Sequence, residues 1–95
     1  MRGQELVTFV IYDVEDDRVR GRVANACKDY GLERFQYSAF CGSLDATRRG
    51  ELAARLGDTL GRDAGKILLL AVCEKDARTK REFINEPMPI GDPGG

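Results

Sequence analysis

The carboxylates of Asp13, Glu15, Asp16 and Asp17 are the first groups along this chain that could do chemistry. They close an apolar run, LVTFVIYDVEDD from Leu6 to Asp17, in which Val7, Phe9, Val10, Ile11 and Tyr12 are β-branched or aromatic. Such residues suit a strand with little water on either face. Asp13 follows Tyr12 directly, so it stands at the end of that strand. A carboxylate there is held rigidly and can still meet solvent or a metal ion. In the competing reading Asp13 only starts a turn, and Asp16 or Asp17 caps the next helix. Both readings of Asp13 stand at this point; turn and cap duty fits the other three acids better.

The second set of candidates is basic. Arg18, Arg20 and Arg22 fall in the first turns of the helix that follows, where cations oppose the helix dipole. The carboxylates just before them can offset that, as on an ordinary solvated face. A phosphate backbone would also account for them. Overall charge does not decide the matter. Fifteen basic and sixteen acidic residues leave a net charge of −1, far from the basic balance of most nucleic-acid-binding domains. Any such role must rest on where the arginines sit.

Other chemistries are excluded outright. The chain has no histidine, which removes catalytic triads, imidazole acid–base catalysis and most zinc sites. Cys27, Cys41 and Cys73 are far apart in apolar patterns, odd in number and without a CxxC pair. They read as reduced residues of a cytoplasmic protein. No signal peptide is expected, and Ile67 to Cys73 is too short to span a bilayer.

The elements that must position these groups follow from periodicity. Val19, Val23, Ala26, Cys27 and Tyr30 recur at helical spacing, and Gly31 ends that helix. Arg34 to Leu44, RFQYSAFCGSL, alternates. Phe35, Tyr37, Ala39 and Cys41 share one face; Gln36, Ser38 and Phe40 share the other. It forms one bent strand or two short ones, with no clear two-residue turn inside it. The alternation assigns Tyr37 to the core and leaves Phe40 open. Asp45 caps a second helix running to about Leu60, with Leu52, Ala53, Leu56 and Leu60 as its stripe. Lys66 to Cys73 is a second apolar strand. Glu74 to Glu82 is charged and irregular, and Arg81 to Glu86 could add a short strand.

The order β-α-β-β-α-β predicts an α+β, ferredoxin-like sandwich: an antiparallel sheet with two helices on one face. Residues 1–86 make the single domain, and 87–95, which hold all three prolines, a loosely ordered tail. A chain of 95 residues buries only about 60–65% of its unfolded surface, so further burial would help it. Because the strands are apolar on both sides, the open sheet face predicts a partner. A homodimer packed through that face is the economical solution.

The YD pair Tyr12–Asp13, the arginine-bearing helix after it and the segment GLERFQYSAFCGSL together resemble the CRISPR-associated Cas-two family. The match runs in register from about Leu6 to Cys73. The resemblance implies a small subunit of CRISPR spacer acquisition. It would be a metal-dependent endonuclease on RNA or double-stranded DNA, or the scaffold on which the Cas-one integrase subunit assembles. Carried over by position, Asp13 is the metal-binding carboxylate, and Asp13 and the neighbouring Tyr12 are the catalytic residues. Arg20, Arg22, Arg34 and Phe40 match positions linked to nucleic-acid binding. The implied cofactor is Mg2+ or Mn2+. One carboxylate is a poor site for such an ion, but a two-fold axis would supply a second Asp13. Two such charges about 5 Å apart repel by roughly 3 kcal/mol at an effective dielectric near 20, which a divalent cation relieves.

Overall fold

In a computed structural model, residues 4–85 are described. Four strands form one fully antiparallel sheet in the order β2-β3-β1-β4. They are β1 (Leu6–Val14), β2 (Glu33–Gln36), β3 (Ala39–Leu44) and β4 (Gly65–Val72). Helices α1 (Asp17–Asp29) and α2 (Ala46–Leu60) intervene as the ferredoxin-like connectivity requires. A single-turn helix, α3 (Glu74–Ala77), follows in the segment read as irregular. The expected terminal strand does not form over Arg81–Asn85. Its last residue, Glu86, and the tail 87–95 lie outside the described residues.

Strand β1 sits at the centre because it is apolar on both faces. Thr8, Val10, Tyr12 and Val14 are buried, whereas Ile11 and Asp13, which alternate with them, are exposed. The buried set meets Val19, Val23, Ala26 and Cys27 of α1 and Leu52 and Leu56 of α2 in one core. Both helices therefore cover the same sheet face.

The helix ends are written in the chain. The Asp16 carboxylate accepts from the backbone N–H of Arg18 at 2.8 Å and of Val19 at 3.0 Å. These bonds hold its carboxyl below the usual range. The Asp45 carboxylate accepts from the backbone N–H of Arg48 at 2.8 Å at the start of α2. Gly31 follows α1 at φ 83°, the left-handed conformation that glycine adopts without steric cost.

The segment Arg34–Leu44 departs from its alternation. It breaks at a turn over Tyr37 and Ser38, and its pairing with β3 shifts between Arg34 and Gln36. Phe35, Ala39 and Cys41 keep their common face, on the side of Phe9 and Ile11, and Phe40 lies on the helix side opposite Val10; Tyr37, in the turn, leaves its set. Phe40 is fully buried, while Tyr37 is 72% exposed. The expected core place of Tyr37 belongs to Phe40. Ala53, expected on the buried stripe of α2, is also exposed.

Candidate functional site

Two neighbouring residues of β1 point to two different sites. Asp13 lies on the face away from the helices, opposite Lys66 of β4 in the antiparallel register. With Glu15, Ala64, Gly65 and Lys66 it lines a shallow depression of about 160 Å³. Gly65 lets the strands meet there. At φ 156° a Cβ would stand 2.9 Å from the Asp13 carbonyl oxygen and 3.0 Å from Val14 Cγ2. The rest of this sheet face is apolar and uncovered near Asp13: Ile11 is 44% exposed, Leu68 54% and Leu70 47%.

Tyr12 lies on the opposite face, under the helices. Its ring stacks on Phe40 with centroids 6.3 Å apart. The Arg34 guanidinium sits 4.9 Å above Phe40 and donates from Nη1 to the Tyr37 carbonyl at 2.6 Å. Burial pushes the Tyr12 phenol up from its ordinary pKa, against the opposing pull of Arg34, so it stays neutral in neutral solution. Arg20 Nη1 donates to the carbonyls of Val14 at 2.9 Å and Glu15 at 3.1 Å. Its Nη2 pairs with Asp17, which holds the guanidinium in its charged form. Tyr12, Asp17, Arg20, Gly21, Ala24, Arg34 and Tyr37 enclose a second depression of about 180 Å³.

The sequence candidates thus divide. Tyr12, Arg20, Arg34 and Phe40 come together, while Asp13 stands on the far side of the sheet and Arg22 projects into solvent from α1. The burial of Phe40 means that no base can stack on it in this conformation; its ring instead carries Arg34. Two residues escaped the sequence reading. Lys66 joins the Asp13 depression through strand pairing, which no local pattern announces. Tyr37 joins the arginine cluster because the segment forms two short strands and Tyr37 falls in the two-residue turn between them, which the sequence reading did not place. Its signal was Ser38 following it, a residue suited to turns.

Asp13 and Glu15 offer the depression carboxylate oxygens of the kind a hard cation takes, while the Lys66 ammonium in the same lining competes for them. Among the described residues no group of three or more Asp, Glu, Cys or His gathers on one chain. A magnesium-type ion would therefore need further ligands from a second chain or from water. Among these residues no helix is long and apolar enough to cross a membrane.

Comparison with known proteins agrees with this architecture. The family model described as CRISPR associated protein Cas2 matches residues 6–80. A CRISPR-associated endoribonuclease Cas2 of Desulforudis audaxviator is 49% identical over 83 residues, covering 86% of this chain and 78% of the relative. A Cas1/Cas2 endonuclease fusion of Thermoproteus tenax is 36% identical over 83 residues, 82% of this chain and 30% of the fusion. A crystal structure of a Cas2 superposes with a TM-score of 0.74 at 23% identity, covering 92% of this chain and 98% of that one, a likeness of fold. With the family model spanning four strands and two long helices, and a relative at 49% identity of which the chain covers 78%, the chain belongs to the Cas2 family of CRISPR-associated proteins.

Proposed function

We propose that this chain is a metal-dependent endonuclease of CRISPR spacer acquisition, acting as a homodimer in the cytoplasm. The observation that carries the reading is the place of Asp13. It is an exposed carboxylate at the end of a central strand, on an uncovered apolar face. Pairing two such faces about a two-fold axis would bury Ile11, Leu68 and Leu70 and bring the two Asp13 residues to one seam. Asp13 of each protomer would hold Mg2+ or Mn2+ there, with Glu15 as a further oxygen donor. The ion, when bound, supplies Lewis acidity toward a phosphodiester and lowers the pKa of water. Tyr12, buried and neutral, serves by packing under the strand end that carries Asp13. Arg20, Arg22 and Arg34 would hold the nucleic-acid backbone, RNA in keeping with the name of the Desulforudis relative or double-stranded DNA.

Two observations favour a second reading, a non-catalytic scaffold joining Cas1 integrase subunits. The basic cluster of Arg20 and Arg34 lies on the opposite sheet face from Asp13, and a relative carries Cas1 and Cas2 in one chain. Cleavage assays separate the two. The purified protein is incubated with single-stranded RNA and duplex DNA, with and without magnesium, beside Asp13→Ala. The nuclease reading expects metal-dependent cleavage that the variant loses while nucleic-acid binding persists. Cleavage unchanged by the variant would remove the catalytic role of Asp13. Spacer acquisition that survives Asp13→Ala would support the scaffold.

A further inference from the structure

Tyr37 is an exposed aromatic ring on a backbone that is tied down on both sides. Its own carbonyl accepts from Arg34 Nη1 at 2.6 Å. The next carbonyl, Ser38 O, accepts from the Tyr12 N–H at 3.0 Å, continuing the β1–β3 pairing by one bond past Ile11 and Ala39. The ring therefore projects from a fixed point and not from a floppy loop. A lone surface tyrosine needs no explanation. This one borders the depression that Arg20 and Arg34 line.

The two guanidiniums are not equivalent. Arg20 spends its donors on Val14 O, Glu15 O and Asp17. Arg34 spends one on Tyr37 O among the described residues, and one face of its plane lies on Phe40. A guanidinium has five N–H donors, so Arg34 keeps donors free for an anion beside the Tyr37 ring. A cation beside a solvent-facing ring on a fixed backbone offers the two contacts that single-stranded nucleic acid uses, phosphate on the cation and base on the ring. A duplex, whose bases are stacked inside, cannot use the ring in this way.

We propose that Tyr37 stacks an unpaired base of a single-stranded segment whose adjoining phosphate meets Arg34. This platform stands apart from the Asp13 depression. It rests on the nucleic-acid-binding reading above, and the test separates the two. Binding of a short fluorescein-labelled RNA of mixed sequence is compared with binding of a duplex DNA of equal length. Tyr37→Ala should weaken RNA binding roughly five- to hundredfold, the range of one lost base stack. It should leave duplex binding unchanged, and Tyr37→Phe should retain wild-type affinity. The chain has no tryptophan, so Tyr37→Trp adds one fluorophore at this point. Its emission should be quenched by the RNA and not by an abasic strand of equal charge. Equal RNA affinities for wild type and Tyr37→Ala, or equal quenching by the abasic strand, would overturn stacking. If Arg20→Ala still weakens binding in that case, nucleic-acid binding survives and only the platform falls. A wild-type protein that binds neither probe would overturn both.

Discussion

The two faces of β1 are built from alternate residues of one strand, yet they do different work. Thr8, Val10, Tyr12 and Val14 are buried under two helices, and Phe40 and Cys27, both fully buried, pack with them. On the other face Ile11, Leu68 and Leu70 remain about half exposed, and Asp13 is open to solvent. The covered face holds the fold. The open face has apolar area to give to a partner and a carboxylate that no side chain of its own protomer bonds among the described residues. Tyr12 and Asp13, adjacent in sequence, consequently differ in burial, in contacts and in the face they occupy. The difference teaches that the two residues of the YD pair stand on opposite faces of the sheet: Tyr12 packs in the core, and Asp13 faces solvent.

Substitutions on the two faces should separate stability from function. Phe40→Ala should have the largest effect, a loss of about 3–5 kcal/mol in denaturant unfolding, because it empties the centre of the core. A much smaller loss would mean that the covered face does not anchor the fold. Asp13→Ala should leave stability within about 0.5 kcal/mol. It should lower metal-dependent cleavage by more than roughly a hundredfold, since even outer-shell partners of metals are worth about 10–100-fold. Reduced stability with intact cleavage would reverse the assignment of the two faces.

The covered face also carries a pH signature. Burial pushes the Cys27 thiol up from 9.0 to about 11. Between these values the unfolded chain sheds a proton that the folded chain keeps. Stability is therefore full below pH 9 and falls as pH rises toward 11, by on the order of 2–3 kcal/mol. Denaturant midpoints measured from pH 8 to 11 should show the decline, and Cys27→Ala should flatten it. On the open face the effects are smaller. Leu70→Ala should raise the dimer dissociation constant by roughly five- to thirtyfold, from about 1–2 kcal/mol of lost burial. Sedimentation of the wild type and variant at several concentrations would read this. A wild type that stays monomeric at every concentration would sink the dimer through this face.

Much of this was legible along the chain, for identifiable reasons. The β1 run, the two helices, their Asp16 and Asp45 caps and the Gly31 stop are local features, set by period, propensity and cap chemistry within a few residues. The connectivity then left the ferredoxin-like sheet as the simplest way to cover one face with two helices. Asp13 could be singled out because a strand end is itself a local signal.

The rest depended on contacts distant in sequence. Tyr37 leaves its expected core place because it falls in the turn between β2 and β3, and Phe40, whose place the alternation left open, is set in the core by its pairing with Val10 of β1. Lys66 comes opposite Asp13 only through the β1–β4 ladder. That Tyr12 and Asp13 serve opposite faces follows from alternation, but which face is covered is decided by the side on which α1 and α2 pack. Sequence by itself determined the elements and the candidate groups, since these follow from neighbouring residues. Tertiary structure decided which groups meet, since burial and strand register are properties of the whole sheet.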